Sequence, residues 1–341
     1  MKLITRYYRF LRKISKSRRN PPYPSEEAFR QGVGTITKLL GEVSKVSYSL
    51  PEGAQEAIVL VFHDYRGHIR TDAFLALFLE IAKAKCDIFS CDFPGHGMSV
   101  RRSQDLGWID SVDHVLAVAR AMVYRIIRSK SRGHLPIIIA GVSLGALVAL
   151  RLLETQPFLA RRVRGVVCIA TPLQVLQIAN KWVRIFRPGL EFLDIFLRRF
   201  EWWNHMAIDA PFFTKAGSRH KKRLALLKDP LAYHGPLKFG VGKPIFYASE
   251  DTRREISFLT TPACFIHGID DATCPFSVIE HAYHKVSSKH KKLVVVEGDH
   301  YLLENLEEEM GEEEKEKRRK AKEVAIKETV DWIGYCLKVP K

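Results

Sequence analysis

Apolar positions along the chain keep two alternating rhythms. Short, nearly continuous apolar runs stand at residues 46–50, 57–63, 86–92, 136–142, 166–170, 263–267 and 293–297, as in strands covered on both faces. Between most of them apolar residues recur at three-to-four spacing, which predicts helices over 71–83, 110–127, 144–154, 275–286 and 324–337. Such alternation predicts an α/β fold: a mainly parallel sheet with helices on both faces and ligands at the carboxyl ends of the strands.

The rhythm lapses between residues 170 and 263. That stretch reads as an inserted helical cap rich in aromatics, with Phe192, Phe196 and Phe200 four apart among Trp182, Phe186, Trp202, Trp203, Phe212 and Phe213. The simplest role for the stripe is packing on the main domain. Trp182, Phe186, Phe196 and Trp203 are also candidates to line a greasy acyl chain or to touch a membrane surface. The expected organisation is a tail over 1–24, core over 25–173, cap over 174–258 and core again over 259–341. The acidic stretch 304–316 and the basic run 315–322 read as a solvated charged loop or helix.

At 46% apolar and 27% charged residues, 341 residues suffice for a well-buried core. No apolar stretch reaches the roughly 18 uninterrupted residues of a membrane span. The six cysteines form no C-x-x-C pair, and the amino terminus lacks the pattern of a secretory signal, so a reduced, cytoplasmic protein is expected. Eight Lys and Arg and no acid lie in residues 1–24, half of the net charge of +16. Leu3, Tyr7, Phe10 and Ile14 recur among them at helical spacing, as in a helix lying on an anionic membrane. The same features suit a mitochondrial presequence or a solvated tail. No recognition motif accompanies the charge, which argues against nucleic acid as a partner. Oligomeric state leaves no mark in the sequence.

Chemistry collects just past the strand ends. Gly141-Val142-Ser143-Leu144-Gly145 follows one apolar run and opens a helix, so Ser143 sits on a sharp corner with its hydroxyl clear of the sheet. A serine so placed can attack an acyl carbon if a base, an orienting carboxylate and oxyanion donors surround it. The backbone N–H of Leu144, at the start of the helix, is one such donor. Two adjacent carboxylates, Asp270 and Asp271, follow the run at 263–267, and His300 follows the last run behind Gly298. His63 closes an earlier run, whereas His281, His284 and His290 read as surface or packing residues. No histidine spacing suits zinc, and no metal or organic cofactor is implied.

The motifs His63-Asp64-Tyr65, Asp92-Phe93-Pro94-Gly95-His96-Gly97-Met98-Ser99, the Ser143 corner, Asp229-Pro230-Leu231-Ala232-Tyr233-His234-Gly235, residues 267–271 and Gly298-Asp299-His300 together resemble the α/β-hydrolase superfamily. Within it the resemblance is to the monoacylglycerol lipase and lysophospholipase-like serine hydrolases, over most of residues 40–337. It implies Ser143 as nucleophile, His300 as base, Asp271 rather than Asp270 as the orienting acid, and Tyr65 N–H as the second oxyanion donor. It implies a lipid ester as substrate, cleaved through an acyl-enzyme, although acyl transfer, a smaller soluble ester or thioester, or a non-catalytic scaffold use the same fold. Asp64 stands where the family carries glycine, which puts a carboxylate beside the expected oxyanion. His96 is expected to bond backbone. Cys274 matches a cysteine that some members carry near the pocket, with packing or thiol-reagent sensitivity as its two readings.

Overall fold

All six residues of β3 (Ala57–Phe62) are apolar and buried. Alternating side chains send Ala57, Val59 and Val61 into one apolar layer and Ile58, Leu60 and Phe62 into the other. The same alternation in β5 (Ile137–Val142) parts Ile138, Ala140 and Val142 from Ile137 and Ile139. The computed structural model describes residues 55–100, 102–174, 204–205, 229–304 and 311–339, with the backbone of two further strands, β1 (Arg30–Thr35) and β2 (Ser44–Ser49).

With β4 (Cys86–Cys91), β6 (Val163–Ile169), β7 (Ala263–Gly268) and β8 (Lys291–Val296), these strands form one sheet in the order β1-β2-β4-β3-β5-β6-β7-β8. The contacts of β1 with β2 and of β2 with β4 are antiparallel, and every other pairing is parallel. From β3 the chain runs to β4 on one side and then returns across β3 to β5 on the other. Neighbours Leu60 and Ile139, and Phe62 and Gly141, are therefore brought level although β4 separates them in sequence. The carboxyl ends of β3 and β5 are thus the point where strand order reverses, the place such sheets offer to a ligand.

Helices α1 (Asp72–Lys83) and α7 (Glu312–Lys338) cover the Val59 face. The Leu60 face carries α2 (Val112–Ile127), α3 (Leu144–Thr155), the short α4 (Pro157–Arg162), α5 (Phe239–Glu255) and α6 (Phe276–Lys285). Each fully buried anchor such as Leu77 or Leu147 contributes about 1.5–3 kcal/mol by leaving water. Ser111 caps α2 by accepting the His114 N–H at 3.1 Å.

The expected strands and helices all form, to within a few residues, except that α7 starts at Glu312 and not at residue 324. Its first turns have no apolar rhythm, and ion pairs one turn apart hold them instead: Lys315 with Glu312, Arg318 with Glu314, Arg319 with Glu316. Strand β1 and helix α4 were not legible in the apolar pattern. All six cysteines are free and buried. Among the described residues no helix is long and apolar enough to cross a membrane. The basic tail and the aromatics Trp182, Phe186, Phe196 and Trp203 lie outside the described residues.

Candidate active site

Ser143 joins the last residue of β5 to the first of α3 at φ 50° and ψ −114°. A side chain in this left-handed region costs about 1–2 kcal/mol, and neighbouring bonds hold it there. The Ser143 N–H donates to the Ile169 carbonyl of β6 at 2.8 Å, and the Ser143 carbonyl accepts from Ala146 and Leu147 N–H at 2.9 and 3.1 Å. Two residues on, a Cβ on Gly145 would overlap the Phe62 carbonyl oxygen and crowd that of His63. Only glycine lets α3 start this close to β3.

Ser143 Oγ lies 2.8 Å from His300 Nε2, and His300 Nδ1 lies 2.8 Å from Asp271 Oδ2. With Nδ1–H donating to the carboxylate, Nε2 is left to accept the serine proton. The other carboxylate oxygen, Oδ1, accepts the Thr273 and Cys274 N–H groups at 2.7 and 2.9 Å, which fixes the plane of Asp271. Asp270 is exposed and faces Lys317, so Asp271 is the carboxylate that meets the histidine.

Burial opposes protonation of His300, but the negative charge of Asp271 and its hydrogen bond outweigh that effect and hold the pKa above the ordinary histidine value. Asp271 moves the other way: burial would raise it, yet the His300 charge and hydrogen bond, with help from His267, keep it below the usual carboxylate range. The pair is poised to hold a proton on imidazole and none on carboxylate. His267, which sequence reasoning passed over, braces this turn: its Nε2 bonds the Cys274 carbonyl at 2.8 Å and leans on Asp271 Oδ2 at 3.3 Å.

At the end of β3, His63 is fully buried and ties backbone together. Its Nε2 accepts the Phe93 N–H at 2.8 Å, so Nδ1–H donates to the Asp64 carbonyl at 2.6 Å. Burial, with the nearby His96, depresses the His63 pKa to about 4 and keeps the ring neutral. His96 reaches the carbonyls of Pro94 and Tyr65. Among the described residues neither the Tyr65 nor the Leu144 backbone N–H has an acceptor. Asp64 turns its carboxylate back onto its own loop, where it accepts from Arg66 and Gly67 N–H.

The Asp229–Gly235 motif and α7 also reach the loops of the site. The segment after residue 228 grips the β3 loop: His68 Nε2 meets Asp229 Oδ2 at 2.8 Å, Tyr233 N–H donates to the Arg66 carbonyl at 2.9 Å, and Arg66 Nη1 donates to the Gly235 carbonyl at 2.9 Å. Lys317 and Arg318 of α7 meet Asp270 and Asp299, the neighbours of Asp271 and His300. Cys274 is 0% exposed, and burial pushes its thiol up to about 12, so it packs and offers little thiolate. His281 and His284 are exposed, and His290 bonds the Tyr335 hydroxyl.

Several solved structures share the fold. A soluble variant of monoglyceride lipase from Saccharomyces cerevisiae, in complex with a substrate analogue, matches with a TM-score of 0.67 at 13% identity, covering 94% of this chain and 100% of the other. A carboxyl esterase from Bacillus coagulans in complex with glycerol gives 0.64 at 14% identity, over 91% and 99%. The monoacylglycerol lipase of Paleococcus ferrophilus gives 0.59 at 18% identity, over 84% and 99%. No curated protein matches the chain in sequence. Residues 53–307 match the model of the family described as serine aminopeptidase, S33, well over half of the chain, and the protein belongs to that family of α/β-hydrolases.

Proposed function

We propose that the protein hydrolyses a carboxylic ester of a lipid, with a monoacylglycerol or lysophospholipid as the substrate class. The observation that carries this reading is the unbroken hydrogen-bonded line from Ser143 Oγ through His300 to Asp271. Ser143 attacks the ester carbonyl while His300 Nε2 takes its proton, and the imidazolium so formed is stabilised by Asp271. The N–H groups of Leu144 and Tyr65 receive the negative oxygen. Collapse returns the proton to the leaving alcohol and leaves an acyl-enzyme. Water, deprotonated by the same histidine, then releases the fatty acid and restores Ser143.

The lipid part of the reading is supported by the monoacylglycerol and monoglyceride lipases among proteins of the same fold and by the aromatic content of residues 174–258, the proposed cap between core segments 25–173 and 259–341. The basic residues of 1–20 make contact with an anionic bilayer part of the same proposal.

The test is labelling by a fluorophosphonate together with turnover of monoacylglycerol, a short p-nitrophenyl ester and an aminoacyl anilide. Wild type is expected to be labelled, to prefer the acylglycerol, and to lose both properties as Ser143→Ala. A wild type that the probe does not label would point to a scaffold. Preference for the anilide would point to a peptidase. Removal of residues 1–20 is expected to abolish sedimentation with anionic vesicles at low salt, and unchanged binding would count against the tail as anchor.

A further inference from the structure

Three successive backbone N–H groups, those of Tyr65, Arg66 and Gly67, follow β3. Asp64 Oδ2 accepts the Arg66 N–H at 3.1 Å and the Gly67 N–H at 3.0 Å, so the side chain closes a turn over its own loop. Two of the three donors are occupied, and Tyr65 N–H alone has no acceptor among the described residues. The arrangement depends on Gly67, where a Cβ would overlap Asp64 Oδ1. Asp64 itself lies outside the left-handed region, so a side chain at this position carries no backbone strain.

The rest of the loop is fixed around that turn. His63 Nδ1–H donates to the Asp64 carbonyl at 2.6 Å, the Tyr65 hydroxyl donates to the Gly107 carbonyl at 2.9 Å, and Arg66 reaches Gly235. The carboxylate therefore does not compete with a developing oxyanion for Tyr65 N–H: two charge-assisted hydrogen bonds already engage it. We infer that Asp64 is a positioning residue of the hydrolase: paired with Gly67, it locks the loop after β3 so that, of the three successive N–H groups, Tyr65 N–H is the one left for the oxyanion. The inference rests on the ester-hydrolase reading for its catalytic consequence and on the turn geometry for the lock itself.

Two substitutions separate the lock from the charge. Asp64→Asn keeps an oxygen able to accept from Arg66 and Gly67, whereas Asp64→Gly restores the residue usual in the resembling family and removes the acceptor. Asp64→Gly is expected to lower kcat on a p-nitrophenyl ester about tenfold with KM little changed, a smaller loss than that of a whole oxyanion donor. Asp64→Asn recovers most of it. Gly67→Ala, which displaces the carboxylate without altering it, gives a similar loss, and adding it to Asp64→Gly costs little more.

Amide hydrogen exchange reads the lock without reference to turnover. The Arg66 and Gly67 amides are expected to be protected in wild type and Asp64→Asn and to exchange freely in Asp64→Gly. Full activity of Asp64→Gly, failure of Asn to rescue, or persisting protection in the Gly variant overturns the inference. If wild type neither turns over esters nor takes the fluorophosphonate, the hydrolase reading fails first. The two amides then decide the lock by themselves, and free exchange in wild type overturns it.

Discussion

Arg318 and Asp299 meet in a two-point ion pair, with Nη2 at 2.6 Å from Oδ2 and Nη1 at 3.4 Å from Oδ1. Asp299 immediately precedes His300, and its Oδ1 also accepts the Tyr301 N–H at 3.0 Å, so the guanidinium holds the histidine loop from behind. The adjacent Lys317 reaches Asp270 Oδ2 at 3.3 Å on the loop of Asp271. One turn of α7 thus clasps both loops. Arg318→Ala is expected to lower kcat about tenfold through displacement of His300, and Arg318→Lys to rescue poorly because an ammonium cannot make the two-point contact. Kinetics with a soluble ester check this; an unaltered kcat in the Ala variant would show that the clasp is decorative.

In the proposed reaction His300 must be neutral to accept the serine proton. Since Asp271 outweighs burial and holds its pKa above 6.5, the acid limb of kcat/KM is expected to have its midpoint above 6.5. Below that midpoint the imidazolium accumulates and activity falls. Asp271→Asn removes the charge that favours the imidazolium, so the midpoint moves down, and kcat drops by about three to four orders of magnitude. A pH series of kcat/KM on both proteins is the measurement, and an upward shift in the variant would contradict the electrostatics.

Gly145→Ala drives a methyl group into the Phe62 carbonyl, which belongs to the central strand and cannot retreat. The expected cost is about 3 kcal/mol or more, with loss of Ser143 labelling, since β3 and the serine corner must part. Urea denaturation monitored by tryptophan fluorescence, beside probe labelling, tests both.

Glu154 of α3 is a further point of strain. Its side chain is 0% exposed, and burial, only partly opposed by Arg151, pushes its pKa up to about 8 from 4.5. Because the folded state favours the neutral acid, the stability linked to this proton is complete below pH 4.5 and lost as pH rises to about 8. Glu154→Gln is expected to flatten that decline and to be the more stable protein above pH 8. Chemical denaturation midpoints of the two proteins across this range decide it; parallel curves would reject the burial argument.

The core strands were legible because each is a short apolar run, and the serine corner because its glycines are a local steric demand. The carboxylate choice was not local. Asp270 and Asp271 differ by one position, and only the turn that turns Asp271 toward Thr273 and Cys274 N–H sends it to His300. Strand β1, read as Arg-Gln-Gly-Val-Gly-Thr, has almost no apolar content, so a hydrophobic pattern does not report it; among the described residues it pairs with β2. The amino-terminal half of α7 is held by charges along its surface, which a hydrophobic pattern cannot report. The direction taken by the Asp64 carboxylate depends on space left by Gly67, a three-dimensional fact.

The strand order has a consequence for how the molecule comes into being. Ser143, Asp271 and His300 follow three different strands, β5, β7 and β8, and β4, which precedes β5 in the chain, lies on the other side of β3. Contacts this distant along the chain form slowly and together. Under the proposed mechanism a molecule in which these strand ends have not met has no turnover, so catalysis reports their joining and is usable to follow refolding or thermal inactivation.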